Sequence, residues 1–360
     1  MRLVTWLAVV YFVYQASQSL LVRVAFSWND SHPDLDRVDA VLGLLSRVME
    51  AVGLHRDLDK LTANDLDEIN KERTKFRETL NLLGDSFAPK PLHDCWRQKT
   101  CIPRNVSIDA ADGKRKVRGT VVQPLTKASG KKRLVVYFHA GGAVLGDAFN
   151  SPLAYALAHT LDAVVVSVEY RKSPESRYPA AVEDGYEMLL WAFENGQALG
   201  ADISKMTLAG DSAGGMLTAA TALMLKERKP ELKVHQLIMI IPMLGPVLSR
   251  SYVKYENIHL LPLRQMGFFW DMYTTNVYDC VIDPLCSPVS AKIEQIKGIA
   301  DRALVIPAKA DVLHDEAIEF ARKMELAGVK VTTVESRGTH IGVLLFDDLL
   351  SDERVLSALK

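Results

Sequence analysis

Met206-Thr207-Leu208-Ala209-Gly210-Asp211-Ser212-Ala213-Gly214-Gly215 is the stretch that decides the fold. Residues 206–209 are mostly apolar and read as a buried strand, and residues 214–226 read as a helix. Between them lies Gly-x-Ser-x-Gly, the sequence of a nucleophile elbow, in the strand–turn–helix setting that elbow requires. The turn needs small residues because it forces the serine into a strained backbone conformation, and a Cβ on either flanking glycine would clash. The Ser212 hydroxyl then lies at a helix N-terminus, where the partial positive charge favours a developing anion.

The same alternation extends to both sides. Segments at 117–122, 134–138, 163–168, 237–241, 303–306 and 329–334 read as strands, and the run at 134–138 is fully apolar. Helical stretches at 152–161, 181–194, 315–326 and 347–358 separate several of them. Continuous apolar strands alternating with helices predict an α/β chain with a mostly parallel central sheet buried on both faces. Right-handed crossovers make such a sheet doubly wound, and its active site forms at the C-terminal strand ends.

Two regions break the pattern. Residues 34–83 read as helices, with Leu58, Leu61, Leu66 and Ile69 at helical spacing and Asn64 as a candidate cap. Residues 242–293 are rich in aromatics, including Tyr252, Phe268, Phe269, Trp270 and Tyr273, and show no clear strand. These two regions are expected to form a helical cap. The expected organisation is therefore an N-terminal targeting segment at 1–26, cap helices at 27–95, and a catalytic domain at 96–360 with its cap insertion at about 242–293.

A serine hydroxyl is a weak nucleophile without a base, and in this arrangement the acid and the base follow it in the chain. Asp311 lies just past the strand at 303–306, and His340 just past the strand at 329–334. Both fall where the sheet would carry them to Ser212. His314 competes as the base but sits close to Asp311 and where the next helix should begin; Asp315 suits a helix N-cap better than the acid role. His139-Ala140-Gly141-Gly142 follows the strand at 134–138. Its glycines can present N–H groups that, with the Ala213 N–H, form an oxyanion hole. His139 is expected to brace that loop by hydrogen bonding.

The formal net charge of −1 and pI near 6.8 give no basic field that would attract nucleic acid. Cys95, Cys101, Cys280 and Cys286 permit disulfides in any of three pairings, and without Cys-x-x-Cys they indicate neither zinc nor a redox dithiol. Neither metal nor organic cofactor is expected. Arg2 precedes an apolar run at 3–14 that resumes at 20–26, as in a signal anchor, a cleaved signal or, less in keeping with the position, a packed cap helix. Acidic Asp30, Asp34 and Asp36 follow it, which favours a lumenal catalytic domain on an endoplasmic reticulum membrane, associated through residues 3–22, or secretion if the segment is cleaved. Sequons at Asn29 and Asn105 suit that compartment.

The chain resembles the hormone-sensitive-lipase branch of the α/β-hydrolases, and within it the arylacetamide deacetylase group. The resemblance rests on Tyr137-Phe138-His139-Ala140-Gly141-Gly142, Glu169-Tyr170-Arg171, Tyr178-Pro179-Ala180-Ala181 with Asp184, Gly210 to Gly215, Asp283-Pro284 with Ser287-Pro288, and Asp311-x-Leu313-x-Asp315-Glu316. It implies the α/β-hydrolase fold with a helical cap, a triad of Ser212, Asp311 and His340, oxyanion donors from Gly141, Gly142 and Ala213, and hydrolysis of small lipophilic esters. His139, Gly210, Asp211 and Gly214 support these motifs. Two positions depart from the family: Ala140 stands where a glycine is usual and Ala143 where an aromatic is usual. Ala140 is tolerated only if its φ is negative. Ala143 predicts a roomier acyl pocket. The rival readings are a non-catalytic binder on the same fold, which the filled triad positions disfavour, and a peptidase, for which nothing recruits a peptide.

Overall fold

The structure, a computed structural model, describes residues 58–87, 94–126, 130–258, 261–340 and 352–359. The apolar segment at 3–22, the helical pattern before residue 58 and the sequon at Asn29 lie outside them.

The chain runs through α1 (Leu66–Phe87), β1 (Cys101–Asp109), β2 (Lys116–Pro124), β3 (Lys132–Phe138), α2 (Pro152–Thr160), β4 (Ala163–Glu169), α3 (Ala180–Asn195), β5 (Ala201–Asp211), α4 (Ala213–Arg228) and β6 (Gln236–Ile240). It continues through α5 (Arg250–Lys254), α6 (Leu263–Tyr273), α7 (Val277–Ile282), α8 (Ile293–Ile296), β7 (Arg302–Ile306), β8 (Ala308–Ala310), α9 (His314–Leu326), β9 (Lys330–Thr333), β10 (Ser336–Thr339) and α10 (Glu353–Leu359). The eight-stranded sheet has the order β1-β2-β4-β3-β5-β6-β7-β9. β2 pairs antiparallel with β1 and β4, and every pairing from β4 onward is parallel. The α/β fold expected from the alternating pattern is the one observed.

The period of two in a strand sends alternate side chains to opposite faces. Along β3, Leu134, Val136 and Phe138 join one core cluster, while Val135 and Tyr137 join the other. All five are fully buried, each large apolar side chain contributing about 1.5–3 kcal/mol over exposure. A central strand is therefore apolar at most positions, with a few small or hydrogen-bonding exceptions such as Ser167 and Thr207, which is why these strands read so clearly.

Three local expectations are corrected. Leu58 to Ile69 is not one helix: Leu58–Lys60 is a 3-10 turn and α1 begins at Leu66. Asp65, not Asn64, precedes α1, and its carboxylate accepts from the Thr62 N–H and hydroxyl at 2.8 and 2.7 Å. Asp315 does not cap α9: Leu313 holds the N-cap position, and Asp315 lies in the first turn with its Oδ2 accepting from the Ser251 N–H at 2.9 Å.

Of the three pairings open to the cysteines, Cys95–Cys101 and Cys280–Cys286 are formed. Residues 242–293 carry α5, α6 and α7 and no strand among the described residues. The α6 helix buries Met266, Phe268, Phe269, Trp270, Met272 and Tyr273. It is joined to the turn at Leu58–Lys60 by the Arg264–Asp59 ion pair at 3.6 Å.

Candidate active site

Ser212 lies between β5 and α4 with φ 54° and ψ −120°, the strained turn expected of an elbow. The flanking glycines are required sterically. A Cβ on Gly210 would lie 2.2 Å from the Gly214 carbonyl oxygen, and one on Gly214 would lie 2.0 Å from that of Phe138. The Ser212 N–H donates to the Ile240 carbonyl at 2.9 Å, and its own carbonyl accepts from the Met243 N–H at 3.0 Å.

His340 and Asp311 arrive from the loops beyond β10 and β8. His340 Nε2 lies 3.0 Å from Ser212 Oγ, and His340 Nδ1 lies 2.8 Å from Asp311 Oδ2. Asp311 Oδ1 also accepts from the Leu313 N–H at 3.1 Å, which fixes the carboxylate plane. All three side chains are buried, with Ser212 only 8% exposed. With the proton on Nδ1, the imidazole donates to Asp311 and accepts from the Ser212 hydroxyl. His314 takes no part in this chain. Its ring lies 3.0 Å from both Asp315 and Glu335, and those carboxylates raise its pKa against the opposing effect of burial.

The glycine loop also lies beside the elbow. Gly141 has φ 121°, Gly142 φ 62° and Ala143 φ 60°. Ala140 is outside the left-handed region, so the alanine there costs nothing in backbone strain. Ala143 takes up the strain instead, and as it is fully buried, the extra room expected beside it is not an open wall in this conformation. Among the described residues, none of the Gly141, Gly142 and Ala213 N–H groups donates to a backbone carbonyl. Gly142 also makes way for α6: a Cβ there would lie 2.1 Å from Cδ1 of Phe269. Phe269 on α6 therefore roofs the loop.

His139 braces the loop as expected. Its Nδ1 lies 2.7 Å from the Ala140 carbonyl and 3.1 Å from the Tyr170 hydroxyl, and its ring stacks on Tyr170 at 4.2 Å. Burial pushes its pKa down to about 3, so it is neutral at physiological pH.

Asp211 links the elbow to that loop. Its Oδ1 accepts from the Tyr137 hydroxyl at 2.5 Å, and its carboxylate also accepts from the Ala140 N–H. Burial pushes this carboxyl up to about 6, with the Tyr137 bond opposing. An unfolded aspartate titrates near ~3.9, so in the interval the folded state binds more protons than the unfolded one. The group's contribution to stability is thus full below about pH 4 and declines as pH rises to about 6, by about 3 kcal/mol in all. Urea denaturation of wild type and Asp211→Asn at several pH values checks this. The wild type's stability relative to the variant should fall by roughly that amount between about pH 4 and 7; a difference that is flat or grows with pH contradicts it.

Glu316 has a role that the motif containing it did not reveal. It is buried on α9, and its Oε1 accepts from the Leu244 N–H at 2.6 Å. Leu244 follows Met243, whose N–H holds the Ser212 carbonyl, so Glu316 supports the elbow from behind. Burial holds its carboxyl well above the usual range. A glutamate in the first turn of a helix reads equally well as a dipole partner, so sequence alone could not assign the contact.

Comparison with known proteins agrees with this architecture. A model of the alpha/beta hydrolase fold family matches residues 135–345. Ethyl acetate hydrolase of Pseudomonas putida is 31% identical over 199 residues, 55% of this chain and 61% of the relative. The chain thus spans less than two thirds of that relative's length. An arylesterase of Saccharolobus solfataricus is 28% identical over 280 residues, 77% of this chain and 86% of its own. Among solved structures, a thermostable esterase from Pseudomonas putida ECU1011 superposes with a TM-score of 0.73 at 30% identity, covering 89% of this chain and 93% of that one. With the family model matching more than half its length, and the sheet order and elbow already described, the chain belongs to the α/β-hydrolase family.

Proposed function

We propose that this chain is a serine carboxylesterase or deacetylase, of the arylacetamide deacetylase type, that hydrolyses lipophilic esters of short- to medium-chain carboxylic acids. The observation that carries the proposal is the hydrogen-bonded run from the Ser212 hydroxyl through His340 to Asp311. His340 takes the hydroxyl proton as Ser212 Oγ attacks the ester carbonyl, and Asp311 stabilises the imidazolium. The resulting oxyanion accepts hydrogen bonds from the Gly141, Gly142 and Ala213 N–H groups. His340 then protonates the departing alcohol, leaving an acyl-enzyme on Ser212. Water, deprotonated by His340, attacks the acyl carbonyl; the carboxylic acid leaves and Ser212 recovers its proton. The nucleophile, the base, the acid and the oxyanion donors are all groups of the chain, and water is the second substrate.

The buried aromatic and Met side chains of α6, with Phe269 over Gly142, favour an apolar acyl or alcohol group over a charged one. The two disulfides use all four cysteines and favour an oxidising compartment. Asn105 lies exposed on the edge strand β1, where a glycan would meet no packing. We therefore place the catalytic domain in the endoplasmic reticulum lumen or the secretory route. Among the described residues no helix is long and apolar enough to cross a membrane, and membrane attachment through residues 3–22 is proposed from their composition.

The test is a series of 4-nitrophenyl esters of graded acyl length, run with wild type and Ser212→Ala. Expected is hydrolysis that peaks at short to medium acyl groups and disappears in the variant. Activity that survives Ser212→Ala, or that is confined to charged acyl groups, contradicts the proposal.

A further inference from the structure

Arg73 lies on α1, far in sequence from the triad and the glycine loop, yet its guanidinium is engaged on the loop that carries Gly141 and Gly142. Its Nε donates to the Val144 carbonyl at 2.8 Å, and its Nη2 to the Ser173 carbonyl at 2.8 Å. The same guanidinium forms a two-pronged pair with Glu175 at 2.7 and 2.8 Å, and Nη1 also reaches Asn70 Oδ1 at 2.8 Å. The side chain is only 17% exposed.

The two carbonyls belong to segments that hold each other. The Ser173 N–H donates to the Ala143 carbonyl at 2.9 Å, while the Val144 and Leu145 N–H groups donate to the Gly141 carbonyl at 3.0 and 2.7 Å. Between these bonds sits Ala143 at φ 60°, a conformation that a residue with a Cβ holds only when its surroundings enforce it. Arg73 spans both segments at once. Five donors in a rigid planar fork allow this, whereas a lysine brings one flexible ammonium. Glu175 keeps the fork in place, and the Arg73 bond holds its carboxyl below the usual range.

We infer that Arg73 is a positioning residue for the oxyanion hole: by clamping the Val144 and Ser173 carbonyls it orients the Gly141 and Gly142 peptides, and so couples docking of the N-terminal helix to turnover. The inference rests on the esterase reading above. It makes α1 a part of the catalytic geometry.

The experiment compares full-length wild type, Arg73→Ala, Arg73→Lys and Ser212→Ala on 4-nitrophenyl butyrate, with an alkylboronic acid as a tetrahedral mimic. Displaced oxyanion donors weaken the transition state more than the bound ester. Both Arg73 variants should therefore lose about tenfold or more in kcat with KM within about threefold of wild type, and boronate affinity should fall in step with kcat. Millimolar guanidinium should restore part of the kcat of Arg73→Ala, because it refills the space between Glu175 and the two carbonyls. Arg73→Lys keeps the aliphatic stem and one cationic donor, so its kcat and boronate affinity decide the matter if the alanine variant does not fold. A lysine variant with kcat and boronate affinity within about twofold of wild type overturns the inference, as does one that loses thermal stability alone. If wild type itself hydrolyses no ester, the esterase reading fails instead.

Discussion

Replacing His340 with glutamine should lower kcat/KM for a 4-nitrophenyl ester about 10⁶-fold, the scale seen when the base of such a triad is removed. The Ser212 hydroxyl hydrogen bonds to Nε2 at 3.0 Å, and no other described side chain is hydrogen-bonded to it. Glutamine can accept a hydrogen bond there but cannot take the proton, so the hydroxyl attacks un-ionised. The fold should persist, because His340 reaches two side chains and supports no strand. Steady-state kinetics and a melting curve of the variant test both halves. A loss below about a hundredfold would mean that another group, such as His314, serves as the base.

Asp311→Asn should cost about 10⁴-fold in kcat/KM at neutral pH, with little change in KM. The Asp311 side chain is 1% exposed, and its Oδ2 lies 2.8 Å from His340 Nδ1. In the variant, the amide oxygen can retain the Leu313 N–H bond now made by Oδ1, which leaves the NH₂ facing the ring. That donor forces the proton onto Nε2, where it opposes the Ser212 hydroxyl. The base is then present in the wrong tautomer. Asp315→Asn is the control: its carboxylate bonds to His314 and the Ser251 N–H, so its loss should leave turnover within about tenfold of wild type. Comparable losses in the two variants would remove Asp311 from the acid role.

The parallel core was legible because strands buried on both faces are almost wholly apolar: residues 134–138 are apolar throughout, and residues 163–168 at every position but Ser167. β1 carries no such signal. It is an edge strand carrying Pro103, Arg104 and Asn105, and its exposed outer positions are free to be polar. The three-residue β8 is too short to leave a periodic signal. Asp311 and His340 could be placed because chain order and strand ends restrict where an acid and a base can sit. The contacts of Phe269 with Gly142, of Glu316 with Leu244 and of Arg73 with the glycine loop join residues tens to more than a hundred positions apart. No local pattern encodes such pairs; only the topology brings them together. Ala143 shows the limit of motif reading from the other side. Its small side chain suggested open space, whereas in the fold its backbone carries the loop's strain and its Cβ is enclosed.

The most direct measurement is reaction of the full-length protein with a fluorophosphonate, followed by peptide mass spectrometry. A serine activated by its neighbours attacks phosphorus and keeps the adduct, whereas an ordinary buried hydroxyl does not. Label on the single peptide that holds residue 212, absent after Ser212→Ala and greatly slowed in His340→Gln, is the predicted result. An unlabelled protein, or a label that forms equally well without His340, would contradict the account.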